Sequence, residues 1–424
     1  QPPYDTLPIP RADIPEGFIL SRQADAWIRE GQVEDVALPL YEGRMIGQFD
    51  FSQKGWVSGK GRGAIWRDID WTRKEIDPQY LMAQTTFLQE RPEVASMKFL
   101  IMDVTSTTNE RTVIGTFDTN HPCGHKTPTL TLCDVSAQKT LTCTGVFDSF
   151  IFDYLVRARL GGNSLIWSVL EATAVPQLTF QCETTLALKV APLCFGDSTF
   201  APTSLLTHVS IEKAWKNHWA ICHAEKLRCR AILDAAVVAC YQLRSQDLLH
   251  VLEDCDWPAD VVGRRSAMRL NPKGFWRVDK NKDPELRHTV LTLVAFHDLQ
   301  QKIDAAGGDR DAGIEAFCNQ NDGEGWMLPE TLRLADYGLG HDDRAKEYQP
   351  VASRLGPRFY DWQLAQSPNE SWRECHLHAR NLLGEAGYHQ LLADLEAEKH
   401  GEPAHRVAEA VPEYDRPDPQ GRLF

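Results

Sequence analysis

No apolar run in the 424 residues approaches the roughly 18 to 20 that a helix needs to cross a bilayer, so no membrane span is expected. The opening Gln1-Pro2-Pro3-Tyr4 has no basic patch followed by an apolar stretch, which argues against a secretory leader. It also lacks an initiating Met and reads as a cut from a longer polypeptide. Cysteine is sparse and odd in number, eleven residues with no Cys-x-x-Cys pair, and is expected as buried free thiols in a reducing cytoplasm. A Gly-x-Ser-x-Gly elbow is missing, as is a Pro-Asp followed by Glu-x-Lys in a strand context. Hydrolase or nuclease chemistry is therefore not expected of this chain. Internal repeats and low-complexity tracts are absent too. A composition of 42% hydrophobic, 9% aromatic and 25% charged residues is that of an ordinary globular protein.

The net charge of −14 argues at first against nucleic acid, but its distribution matters more than its sum. From Pro284 to Phe424 there are 25 acidic and 14 basic residues, whereas the first 283 residues carry a net of only −3. Within them, Lys54–Lys74 holds six basic against two acidic residues, and Arg264–Lys282 seven against one. The first two thirds can thus present a basic face to duplex DNA.

Texture divides the chain. Residues 1–35, rich in Pro and charge with a short helical stretch at Ser21–Glu30, read as an arm or linker. Residues 36–205 read as a sheet-containing domain. Its short apolar runs, at Phe99–Met102, Thr112–Phe117 and Thr129–Leu132, are bounded by Gly, Pro, Asn and Asp, and helices are expected at Gly145–Val156 and Asn163–Ala172. Residues 206–306 read as helical: three- and four-residue spacing over Glu212–Leu252 predicts two helices broken near Ser245, and a third runs from Glu285 to Ala306, ended by Gly307-Gly308. Residues 307–400 read as an acidic helical extension with its own core, interrupted at Asn321–Gly325, and 401–424 as a tail. The expected fold class is α+β, a sheet-containing domain followed by a helical C-terminal region.

The segment Lys54–Arg67 combines four basic residues, four glycines and two tryptophans in an expected loop. Glycine lets backbone approach a phosphate, and Trp can stack or wedge against DNA; the competing reading is a solvated hairpin with Trp in the core. Lys54, Lys60, Arg62, Arg67, Arg73 and Lys74 are candidate DNA contacts from this region, and Arg264, Arg265 and Lys273 from the second basic segment, where Arg269 and Arg277 also lie. Lys126 is a further candidate. Arg157 and Arg159 follow an amphipathic helix, with phosphate contact set against a salt bridge to Asp148 or Asp153. Arg111 sits in the turn Asn109-Glu110-Arg111, with structural and DNA-contacting roles both open. The metal alternative rests on His121-Pro122-Cys123-Gly124-His125 with Cys133 and Cys143, and more weakly on Cys375-His376-Leu377-His378; neither has the spacing zinc sites favour, and no metal is expected.

Four phrases carry a family resemblance. They are Leu38-Pro39-Leu40-Tyr41-Glu42-Gly43-Arg44-Met45-Ile46-Gly47-Gln48-Phe49-Asp50; Asp103-Val104-Thr105-Ser106-Thr107-Thr108-Asn109-Glu110-Arg111-Thr112-Val113-Ile114; Phe147–Arg159 with Gly161-Gly162-Asn163; and Leu227–Leu249 with Leu233-Asp234-Ala235 and Tyr241. In this order they resemble the C-terminal target-recognition region of fused restriction–modification adenine methyltransferases, and of the adenine methyltransferases of phage-defence islands (BREX and DISARM type). Met102 stands where that family often has Arg. The stretch from Asn281 through Gly323-Glu324-Gly325-Trp326-Met327-Leu328-Pro329 is similar to their C-terminal extension.

The resemblance implies a DNA-binding specificity portion that positions duplex DNA for a catalytic domain or subunit. Neither the family's Gly-rich cofactor loop nor its Asn/Asp-Pro-Pro-Tyr/Phe loop is in the sequence; Gln1-Pro2-Pro3-Tyr4 departs from the second by Gln for Asn. No cofactor is expected on this chain, and S-adenosylmethionine is expected on the catalytic domain. The competing reading is a non-catalytic scaffold subunit of a defence complex.

Overall fold

The computed structural model describes residues 18–20, 27–29, 34–71, 74–90, 97–119, 121–132, 136–207, 213–220, 223–252, 274–275, 287–327 and 366–399. Four small antiparallel sheets occur among them. Strand β1 (Phe18–Leu20) pairs with β2 (Trp27–Arg29), so the last third of the helix expected at Ser21–Glu30 is extended instead. Strand β3 (Ala37–Leu40) pairs with β6 (Tyr80–Ala83), β4 (Lys54–Ser58) with β5 (Ile65–Asp68), and β7 (Lys98–Ile101) lies between β8 (Gly115–Asp118) and β9 (Thr129–Leu130). Every residue of β7 and β8 is buried, the polar Lys98, Thr116 and Asp118 included. At Gly115 the strands approach so closely that a Cβ would stand 2.1 Å from the Phe99 ring.

Helix α1 (Gln84–Glu90) precedes β7, and the remaining helices follow the sheets. Helices α2 (Ala137–Phe147) and α3 (Phe150–Arg157) are capped by Ser136 and Ser149, whose hydroxyls accept from the amides of Lys139 and Phe152. The short α4 (Trp167–Glu171) occupies part of the helix expected at 163–172. Helices α5 (Phe180–Cys194) and α6 (Ala201–Leu206) lie at the end of the expected sheet-containing domain, where no helix is expected. Helices α7 (His223–Cys240) and α8 (Ser245–Leu252) meet at the break expected near Ser245. Helix α9 (His288–Ala305) ends at Gly307 and Gly308, with φ of +71° and +89°. Helix α10 (Arg310–Asn319) follows, and α11 (Pro368–Lys399) is bent at Gly384.

Helix α7 organises the core. Residues Ala231–Cys240 are all buried, as expected of a helix that is apolar on nearly every side. Helices α5, α9 and α10 pack against it, and α2 crosses α5 where Gly145 meets Val190. A single hydrophobic cluster joins Phe49, Phe99 and Phe150 to Leu186, Leu233, Phe296, Ile314, Phe317 and Trp326. The expected divisions at 205/206 and 306/307 therefore run through continuous packing, and α10 does not form a core of its own. A second cluster seats α11 on α6 and the segment 213–219, with Trp372 and Cys375 against Ala201, Trp215 and Trp219. There the buried Lys216 ammonium lies 2.7 Å from Glu374. Against the opposing effect of burial, His378 and Lys216 hold that carboxyl down to about 2.

Candidate nucleic-acid interface

The four phrases are not neighbours in sequence, yet three buried aspartates tie them into one network. Asp148, at the α2–α3 junction, accepts from the amides of Gly115 (3.0 Å) and Phe49 (3.3 Å), and its carbonyl accepts from the Gln48 side chain. Phe49 is held there with φ +59°, a left-handed conformation that non-glycine residues adopt only under constraint. Asp153 on α3 accepts from the amides of Thr112 (2.6 Å) and Val113 (3.0 Å) and from Arg157 Nε (2.5 Å). Asp234 on α7 accepts from the Phe150 amide (2.7 Å), and its other oxygen lies 3.0 Å from His288 Nε2 and 3.6 Å from Arg111.

These contacts fix the loop 103–114 between α3 and the sheet. The Arg157 guanidinium donates to the carbonyls of Asn109 and Glu110, and the Thr105 hydroxyl donates to the Thr112 carbonyl. The Asp103 carbonyl accepts from Leu165 and the Asn163 carbonyl from Thr105, which brings in the Gly161-Gly162-Asn163 segment. Burial pushes the Asp148 carboxyl well above the usual range, against the pull of the Gly115 amide and Arg230. Burial also acts on Asp234, but His288 and Arg111 prevail and hold it below its ordinary value. His288 itself is pushed down by burial, with Asp234 opposing.

The candidate DNA contacts separate into three groups. Lys74 and Arg111 lie inside, 4% and 3% exposed; this corrects the expected surface place of Lys74 and leaves Arg111 the structural one of its two open roles. Lys74 Nζ donates to Asp50 and to the carbonyls of Ser52 and Ile69, closing the turn after the first phrase. The Arg111 guanidinium stacks 3.6 Å above the Phe150 ring, and its terminal nitrogens have no hydrogen bond among the described residues. Arg157 takes the salt bridge to Asp153 and is nearly buried, so its role is structural. Arg73, Arg264, Arg265 and Lys273 lie outside the described residues, as do Arg269 and Arg277.

The remaining candidates are exposed. Residues 54–68 form a β-hairpin with Trp56 opposite Trp66 and an irregularity at Val57. Trp66 packs on the cluster of Tyr41, Met45, Ile46 and Leu100, and Trp56 Nε1 donates to the Gly59 carbonyl. The turn needs Gly59 at φ +78°, where a Cβ would meet the Gly63 carbonyl at 2.4 Å. At the tip Lys60 and Arg62 are exposed, and neither forms an ion pair with a described residue. Arg44 reaches the same turn, donating to the Gly61 carbonyl at 3.3 Å. Lys54 lies 3.9 Å from Asp68, while Arg67 is held by both Glu75 and Asp77 at 2.9 Å. Lys126, half exposed, bonds Asp103, and Arg159 donates to the Leu155 carbonyl. The hairpin thus takes the form of the competing reading, with its tryptophans packed or hydrogen-bonded. Its cationic tip still faces solvent.

Sequence reasoning missed Arg230 and His288. The available signal was charge inside an apolar helix, since Arg230 and Asp234 stand one turn apart on α7. It also missed the buried Lys98, which lies 3.7 Å from Asp118 and donates to the His121 carbonyl. His121 Nδ1 in turn contacts Asp118 at 2.7 Å, and burial pushes the Cys123 thiol up to about 12. The His121–His125 segment therefore serves to join Tyr41 to the sheet, through the Tyr41 amide to the Pro122 carbonyl and the Gly124 amide to the Tyr41 carbonyl. Among the described residues no three His, Cys, Asp or Glu side chains are grouped to hold a metal, and no helix is long and apolar enough to cross a membrane. No protein-family model, curated protein or solved structure matches this chain.

Proposed function

We propose that this chain is the DNA-recognition portion of a site-specific adenine DNA methyltransferase of the restriction–modification or phage-defence kind. It acts with a catalytic domain or subunit that binds S-adenosylmethionine. The observation that supports this best is the joining of the four family-like phrases by Asp148, Asp153 and Asp234 beside a sheet whose neighbouring hairpin carries exposed cations. A specificity module needs such rigidity, because loops that read bases must be held by a fixed scaffold.

On this reading the contact set is narrower than the count of cations in the sequence. Lys60 and Arg62, with Arg44 beside them, are positioned for phosphate; Lys54, Lys126 and Arg159 are exposed but already engaged, and Arg67 is neutralised by two carboxylates. Binding to random duplex DNA, followed by fluorescence anisotropy as salt rises, tests the reading. Lys60→Ala and Arg62→Ala are each expected to lower the salt slope by about one unit on every duplex alike, and Arg67→Ala to leave it nearly unchanged. A double variant of Lys60 and Arg62 with unchanged affinity and slope would remove the hairpin from the footprint. Failure of the parent chain to bind duplex at low salt would remove the whole reading. One observation favours the scaffold alternative: Ile166, Trp167, Val175 and Phe180 are exposed, Phe180 by 75%.

A further inference from the structure

The core contains a pair of thiols with no part in the interface. Cys182 stands in the first turn of α5 and Cys240 is the last residue of α7, and their sulfurs lie 3.3 Å apart, 1% and 2% exposed. Both belong to the main hydrophobic cluster, among the Leu, Ala and Val side chains of the two helices. The Cys182 amide donates to Thr179 Oγ1, and that hydroxyl donates in turn to Asp311 at 2.7 Å. A shallow depression lined by Gln242, Asp309, Arg310 and Asp311 opens two residues beyond Cys240. Gln242 itself has φ +57°, and its amide donates to the Ala239 carbonyl at 2.9 Å.

We propose that Cys182 and Cys240 are a modification site, a vicinal thiol pair that closes to a disulfide on exposure to a peroxide and clamps the start of α5 to the end of α7. Two features assign the roles. The helix dipole favours an anion in the first turn of α5, which makes Cys182 the attacking thiolate. The contact with Cys240 lowers the proton affinity of Cys182, while the same contact and burial raise that of Cys240.

In the first step the Cys182 sulfur attacks one oxygen of hydrogen peroxide. An S–O bond forms, the O–O bond breaks, and the departing hydroxide leaves as water with the thiol's proton. The Cys240 sulfur then attacks Cys182, forming the S–S bond and breaking S–O. That hydroxide leaves as water with the second thiol's proton. Two thiols and one peroxide become one disulfide and two waters. With Cys182 and Cys240 only 1% and 2% exposed, only a small oxidant is expected to reach the pair, and a larger one such as oxidised glutathione is expected to react far more slowly.

The test uses the full chain under native conditions, treated with hydrogen peroxide, quenched, alkylated after denaturation and mapped by mass spectrometry. The expected result is loss of two of the eleven thiols, a 2 Da lower mass and one linked peptide pair joining Cys182 to Cys240. The thermal midpoint should rise and return on reduction. In Cys240→Ser the cross-link disappears and Cys182 is trapped as a sulfenic acid that reacts with dimedone. Recovery of all eleven thiols from the parent, or linkage of a different pair, overturns the proposal. Because the parent alone gives the peptide map, a serine variant that fails to fold leaves the test intact.

Discussion

Removing the Asp153 carboxylate should loosen the loop that carries Asn109 to Val113. Three donors point at it, the amides of Thr112 and Val113 and the Arg157 guanidinium, and the carboxylate itself is 1% exposed. Each charge-assisted bond is worth about 1.5–3 kcal/mol. Part of that sum is returned because a buried charge no longer has to be desolvated. The net loss for Asp153→Ala is then about 3–5 kcal/mol, the range for removing one partner of a buried pair. In a chain of this size that corresponds to a fall in thermal midpoint of about 3 to 6 °C. Arg157→Ala should cost less, since both backbone amides keep their acceptor. The double variant measures the coupling, expected at about 1–3 kcal/mol. Circular-dichroism melts and urea titrations give these values, and hydrogen exchange should show the Thr112 and Val113 amides losing protection first. An Asp153→Ala variant within about 0.5 kcal/mol of the parent, with both amides still protected, would refute the assignment of this carboxylate as the tie between α3 and the loop.

Acid should act through His288, which faces Asp234, Arg111 and Arg230 in the interior. Its folded-state pKa is depressed, so the unfolded chain takes up the proton first, and stability present above about pH 6.5 is lost as pH falls below it. Asp148 contributes with the opposite sign, so the comparison is made between parent and His288→Gln: their stability difference should change between about pH 7 and 5, and parallel curves would exclude the idea. Ending the chain at Asp311 deletes Ile314, Phe317, Cys318 and Trp326 from the main cluster and is expected to abolish cooperative melting; a soluble fragment with a sharp transition would mean that α10 is dispensable.

Long helices with clean periodicity were legible in the sequence. The break between α7 and α8, the extent of α9 and its stop at two left-handed glycines all follow from spacing and caps. Helices α5 and α6 were not, because Thr184, Thr185 and Val190 favour strands and Pro192 suggests an end, whereas burial against α2 and α7 decides the outcome. Trp27–Arg29 lies in a stretch whose composition suits a helix, and only pairing with Phe18–Leu20 makes it extended. At the interface, the alternatives set out for Arg157 included its observed partner, since Asp153 is one helical turn away. The joining of Asp234 to His288 and Arg111 was out of reach because those partners come from distant segments.

Counting cations along the chain overstates what DNA would meet. Of the six basic residues in Lys54–Lys74, Lys74 is inside, Arg67 is held by two carboxylates, Lys54 faces Asp68 and Arg73 lies outside the described residues. The buried acids offset interior cations in the same way: Asp118 faces Lys98, Asp153 faces Arg157 and Asp234 faces Arg111, so none of these pairs adds much to the surface field. If only Lys60 and Arg62 neutralise phosphates, the salt slope is about −1.8, and affinity falls roughly tenfold between 50 and 200 mM salt. With Arg44 and Arg159 added, the fall is roughly a hundredfold. Six or more contacts would give about a thousandfold or greater, which would require Lys54 and Lys126 to exchange their carboxylates for phosphate, or cations from Arg264–Lys282. The measured slope therefore counts the contacts, and a slope steeper than about −5 would mean that the hairpin is the smaller part of the interface.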